Sequence, residues 1–175
     1  HIDQAINSWI IELRPKMWEF LELLENDSIP LIIFSASGLG GDSIRSYLEF
    51  HGQLKSNIHV VSNTFTWSEE GIANGRLEPV IHVFNKEISA IRSQPEIYSS
   101  ISDKRDIILL GDSIGDTHMA DGHDADTVLK IGFLTKNPEK NLAEYMQKFD
   151  IVLVGDGDMG IIIDTIQNMK IENDC

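Results

Sequence analysis

Two carboxylates four residues apart, Asp112 and Asp116, sit in Gly111-Asp112-Ser113-Ile114-Gly115-Asp116, directly after the apolar run at residues 107–110. Acids at the mouth of a buried strand suit a hard cation such as magnesium, which takes oxygen ligands and bridges them to phosphate oxygens. Asp116 could equally cap the helix that follows. Two more apolar runs end in polar groups at the same relative position. The first leads into Ser35-Ala36-Ser37-Gly38-Leu39-Gly40-Gly41, a hydroxyl and small residues whose backbone amides can cradle an oxyanion, although the string also reads as a glycine-rich turn. The second leads through Asn85 to Lys86, a point charge able to hold a phosphate or offset two acids, and otherwise a solvated lysine. A dinucleotide fingerprint is excluded, because Gly38 and Gly40 would require a glycine where Ser43 stands.

Other polar groups have blander readings. His118, Asp121, His123, Asp124 and Asp126 resemble a metal-binding stretch in composition, but histidines five apart share no helix face, so a solvated loop is expected. Trp9 and Trp18 are expected in the core or at an interface. Trp67 is expected to pack a hairpin, and His82 to be a hydrogen-bonded structural histidine.

The elements that must position the three chemical ends follow from hydrophobic spacing. Compact apolar runs at residues 30–34, 58–61, 80–84, 107–110, 128–131 and 151–154 predict strands buried on both faces. Helical spacing appears over residues 4–13, again from Pro15 to Leu24, and at 88–92, 116–120, 138–149 and 158–169. Pro15 separates the first two helices because it lacks an amide donor. This alternation predicts a three-layer α/β domain with a mainly parallel, Rossmann-like sheet, in which ligands bind beyond the carboxyl ends of the strands. Residues 65–67, with Asn74-Gly75 as the tight turn, predict a small antiparallel excursion.

The 175 residues carry 28 acidic and 14 basic side chains, a net charge of −14. Scattered basic residues on so acidic a chain argue against a nucleic-acid polymer as partner. The longest stretch without a charged residue, 28–41, is too short and too rich in glycine to cross a membrane, so no membrane partner is expected. One cysteine, Cys175, excludes an internal disulfide and points to a reducing, cytoplasmic setting. His1 stands where a Met would, and the chain is expected to begin inside a longer gene product.

Phe34-Ser35-Ala36, His82-Val83-Phe84-Asn85-Lys86 and Leu110-Gly111-Asp112-Ser113-Ile114-Gly115-Asp116 resemble motifs two, three and four of the haloacid-dehalogenase-like superfamily. More narrowly, they are similar to the cytosolic type III (pyrimidine) 5′-nucleotidases. The likeness runs from about Arg14 to about Gln167, through Ile29-Pro30, Val60-Val61-Ser62-Asn63, Leu129-Lys130-Ile131-Gly132, Tyr145-Met146 and Asp150-Ile151-Val152-Leu153-Val154. It implies that Ser35 and Ala36 hold the substrate phosphate, that Lys86 neutralises it, that Asp112 is a magnesium ligand, and that Asp116 completes or orients the acidic group. The implied reaction is hydrolysis of a nucleoside 5′-monophosphate, UMP- or CMP-like with 7-methylguanylate as a further candidate, through an aspartyl-phosphate.

The resemblance also implies an Asp-x-Asp-x-Thr strand and an inserted helical cap, and no such motif occurs in the sequence. Residues 1–13 are expected to be the end of the cap, and residues 14–175 a partial core lacking its motif-one strand. Such a chain is expected to be inactive alone and to self-associate through the gap. A non-catalytic phosphate- or nucleotide-binding short form, or another phosphatase or phosphotransferase of the superfamily, are the alternatives.

Overall fold

The computed structural model describes residues 12–78, 80–82, 86 and 88–173. Most of the expected cap remnant at 1–13, and the helix expected over 4–13, therefore lie outside the described residues. Helix α1, Met17–Asn26, starts two residues after Pro15 because Lys16 adopts a left-handed conformation at its N-terminus (φ 62°). Its apolar stripe buries Phe20, Leu21 and Leu24, while Trp18 remains 37% exposed beside the His51 ring, so Trp18 is not a core residue.

Among the described residues, five parallel strands form two hydrogen-bonded sheets. Strand β1 (Leu31–Ser35) pairs with β2 (Ile58–Ser62), in register from Leu31 with Ile58 to Ser35 with Ser62. In the second sheet, β5 (Asp106–Gly111) pairs with β6 (Thr127–Leu134), and β6 pairs with β7 (Ile151–Val154). No ladder joins β1 to β5 among the described residues. Between the sheets in sequence, β3 (Phe65–Trp67) and β4 (Ala73–Arg76) form the expected antiparallel excursion.

Because side chains alternate across a strand, each run of apolar residues feeds two cores. Leu31, Ile33, Ile108, Leu110, Leu129, Ile131, Phe133, Ile151 and Leu153 point into one cluster shared by both sheets. That cluster is covered by α1, α2 (Gly40–Phe50) and α6 (Gly160–Asn173) through Leu21, Leu24, Leu48, Ile162 and Ile166, with Met159 just before α6. On the opposite face, Ile32 and Phe34 pack under α3 (Ile88–Arg92) and α4 (Pro95–Ile101). Ile107, Leu109, Val128, Leu134 and Val152 pack under α5 (Pro138–Lys148) through Tyr145 and Phe149. The architecture is therefore helix, parallel strands, helix, as expected.

Three local expectations are corrected and one helix is added. Asn74-Gly75 lies within β4, and the turn is made by residues 68–71. There the Ser68 carbonyl accepts from the Gly71 amide, Gly71 has φ 72°, and the Ser68 hydroxyl accepts from the Ile72 amide. These groups supply complete turn chemistry of their own. The strand expected over 80–84 is absent at residues 80–82, and 83–85 lie outside the described residues. In its place the buried Asn63 side chain brackets Ile81, its amide donating to the Ile81 carbonyl at 3.0 Å and its oxygen accepting from the Ile81 amide at 2.8 Å. The helix expected over 116–120 is a 3-10 helix at Ile114–His118. Helix α4 was not expected from the spacing, although Pro95 in its first turn is a helix-start signal. No helix among the described residues is long and apolar enough to cross a membrane.

Candidate active site at the carboxyl ends of the strands

Strand β5 ends at Gly111, and the loop after it is held by its own carboxylate. Asp116 Oδ2 accepts from the Asp112 and Ser113 amides at 3.1 and 3.0 Å, and Ser113 and Asp116 form a reciprocal capping box at the start of the 3-10 helix. Ser113, not Asp116, is thus the N-cap. A Cβ on Gly111 would lie 2.5 Å from Asp116 Cβ, so the loop closes this tightly only over glycine. Ser113-x-x-Asp116 has the spacing of a capping box, and that signal passed unused in the sequence.

The second oxygen of Asp116 meets Lys86. Lys86 Nζ lies 2.9 Å from Asp116 Oδ1, with side-chain exposures of 13% and 4%. Burial makes the pair mutually dependent, because either charge left alone in this surrounding would carry an uncompensated desolvation cost. Two of the sequence-derived ends, 30 residues apart, are therefore in direct contact.

Asp112 differs from its neighbour. Its side chain is exposed, and among the described residues its carboxylate has no hydrogen-bonding or ionic partner. Its carbonyl accepts from the Tyr145 hydroxyl at 2.7 Å. The phenol is held above its ordinary pKa by burial first and then by the negative charges of Asp112, Asp116 and Glu144, so it stays a neutral donor. Nothing local in the sequence links Tyr145 to a partner 33 residues away.

Ser35 closes β1. Its hydroxyl accepts from the Ser37 amide at 3.1 Å, and the Ser37 hydroxyl accepts from the Leu39 amide at 3.1 Å, which folds the loop back toward α2. Ala36 packs in the same cluster as Ile81 and Ile88, on either side of Lys86 in sequence. The remaining polar candidates are accounted for by surface contacts. His118 Nδ1 lies 2.7 Å from Asp121 Oδ2, His123 Nε2 lies 2.7 Å from the Lys104 carbonyl, and Arg105 binds Asp124 and Asp126. Trp67 is half exposed and edge-on to Phe65, as expected of hairpin packing, whereas His82 is exposed and outside any regular strand. No group of three metal-ligating side chains occurs among the described residues. A free, exposed carboxylate beside a loop of fixed amides still fits a partial oxygen shell for a cation that keeps several waters.

The pyrimidine 5′-nucleotidase (UMPH-1) family matches residues 1–170. The chain belongs to that family. It is 40% identical over 161 residues to a 7-methylguanosine phosphate-specific 5′-nucleotidase of Drosophila melanogaster, covering 91% of this chain and 50% of the relative. It is 37% identical over 172 residues to the enzyme of that name from Homo sapiens, covering 96% and 55%. The crystal structure of cytosolic 5′-nucleotidase IIIB bound to cytidine superposes with a TM-score of 0.82 at 38% identity, over 91% of this chain and 53% of that one. The haloacid-dehalogenase-like α/β fold expected from the motifs is thereby shown. A phosphoserine phosphohydrolase-like protein from Francisella tularensis, at TM-score 0.55 and 15% identity, shares the fold alone. The chain spans about half the length of the curated relatives it matches.

Proposed function

We propose that the complete protein hydrolyses nucleoside 5′-monophosphates to nucleoside and phosphate, in the cytoplasm, with 7-methylguanylate, UMP and CMP as the candidate substrates. The observation that carries this reading is the buried contact of Lys86 with Asp116 beside the exposed Asp112 carboxylate, which has no partner among the described residues, in a chain of this family. The base candidates rest on relatives that are named for 7-methylguanosine phosphate and on a relative crystallised with cytidine.

In this reading Ser35 and the Ala36 amide hold the phosphate, and Lys86 lies against its negative oxygens as a compact charge. Asp116 holds Lys86 in place while fixing the amides of the Asp112 loop. Asp112 holds the magnesium ion, which when bound neutralises charge developing on the transferred phosphoryl group. The attacking carboxylate belongs to an Asp-x-Asp-x-Thr strand that the sequence does not contain, and the phosphoryl group passes through an aspartyl-phosphate on it.

Phosphate release from the three nucleotides, with and without magnesium, tests this in the full-length protein and in the 175-residue chain. The full-length protein is expected to turn over only with magnesium, and Asp112→Asn or Lys86→Ala to lose on the order of 10²-fold in turnover, as when one preorganised transition-state contact is removed. The 175-residue chain is expected to be silent. Magnesium-dependent release by the short chain, absent from its Asp112→Asn control, would overturn the missing nucleophile. Tight nucleotide binding without turnover by the full-length protein would favour a binding role instead.

A further inference from the structure

Both main-chain groups of Asp112 are held from outside its own strand. Its amide donates to Asp116 Oδ2 at 3.1 Å, and its carbonyl accepts from the Tyr145 hydroxyl at 2.7 Å. With N–H and C=O both tied, the direction of the Asp112 Cα–Cβ bond is fixed, and only the exposed carboxylate is free to meet a ligand. The phenol that holds the carbonyl is itself braced. Its ring stacks on Phe149 at 5.4 Å and 26°, and Phe149 lies over Gly132, where a Cβ would come within 2.7 Å of the ring. Gly132 is the register partner of Gly111, the residue before Asp112. The brace therefore runs from the floor of the sheet, through Phe149 and Tyr145, back to the residue that follows β5.

We propose that Tyr145 is a positioning residue for the Asp112 carboxylate, aiming it at a divalent cation through the Asp112 backbone. The proposal rests on Asp112 being the metal ligand. The groups that orient a ligand commonly change metal affinity by 10- to 100-fold when removed, and one that acts through the main chain belongs at the low end of that range.

The test uses the full-length protein and Mn²⁺ as a spectroscopic stand-in for Mg²⁺. Electron paramagnetic resonance titration gives the affinity, and magnesium activation of phosphate release gives the concentration for half-maximal rate. Tyr145→Phe, which removes only the hydroxyl, is expected to weaken Mn²⁺ binding about tenfold and to raise the magnesium requirement by the same factor. Its turnover at saturating magnesium should return close to the parent value. Leu24→Ala, a buried change in the shared core of the opposite helical layer, serves as the destabilised control and should leave metal affinity unchanged. Parent-like Mn²⁺ affinity in Tyr145→Phe, alongside a large loss in Asp112→Asn, would overturn the positioning role while leaving the metal assignment standing. The same weakening in Leu24→Ala would reduce the effect to general destabilisation and overturn the role as well. Unchanged binding in Asp112→Asn would overturn the metal assignment and this proposal together.

Discussion

A carboxylate that accepts two backbone amides with one oxygen and a buried lysine with the other is hard to replace. Asp116 does this from a side chain only 4% exposed. Asp116→Ala would leave the Lys86 ammonium buried without its partner and two amides without an acceptor. A loss of about 3 kcal/mol is expected from breaking the buried pair, read as a lower urea midpoint with unchanged slope. Lys86→Ala leaves the Asp116 carboxylate buried without its cation but still holding its two amide donors, and should cost less. At this scale the sequence was informative about type and spacing: Asp112, Asp116 and Lys86 were legible because each follows an apolar run that had to be a strand or its equivalent. What it could not show was the division of labour between the acids. Asp116 turned inward to Lys86 and Asp112 outward because Ser113 took the cap position, a choice made by backbone geometry in a six-residue loop.

Elements were legible where burial on both faces leaves little freedom, as in β1, β2, β5, β6 and β7. They were misread where a side chain substitutes for a ladder. The run at 80–84 has strand composition, yet Ile81 receives its hydrogen bonds from Asn63, a residue buried to 4% exposure. Asn63→Ala should therefore strand a buried amide and a buried carbonyl. The expected cost is about 2 kcal/mol or more, and chemical denaturation checks it. A pH dependence belongs to β2 as well. Burial lowers the pKa of His59 below 6.5, so the unfolded chain takes up a proton at a higher pH than the folded one does. Stability should then fall as pH drops below about 6.5, until the folded-state value is passed, and be regained on the alkaline side. His59→Gln should flatten that part of the profile in thermal melts between pH 5 and 7.5, and a slope that survives the substitution unchanged would assign it to other groups.

At the level of the whole molecule, two parallel sheets share one helical layer, yet no hydrogen-bonded ladder joins them among the described residues. Among the described residues the edges of β1 and β5 that face away from β2 and β6 have no strand partner, and backbone donors and acceptors over apolar faces invite pairing with another chain. The 175-residue chain is accordingly expected to self-associate in a concentration-dependent way, and a segment carrying an Asp-x-Asp-x-Thr strand to reverse this. Light scattering over a concentration series measures it, and a monomer at high concentration with a cooperative melt would refute it. The layered plan was readable in the sequence because period-two apolar runs and helical stripes alternate along it. The separation into two sheets was not readable from local pattern, since it depends on which strand edges find partners.

The amides of Asp112 and Ser113 bond to a side chain, not to a neighbouring strand, and that carboxylate reaches across to Lys86 from the sheet that contains β5. Nearby, Arg92 donates to the Gly122 carbonyl at 2.7 Å, a second link across the same divide. The rim that holds Asp112, Asp116 and Lys86 is thus a seam between two separately zipped units, and a seam can part without either unit melting. Deuterium uptake would record this as a fast clock at the Asp112 and Ser113 amides against a slow one at Ile131 and Phe133 in the middle of the three-stranded sheet. Whatever ligates both sides of the seam should slow the first clock and leave the second untouched.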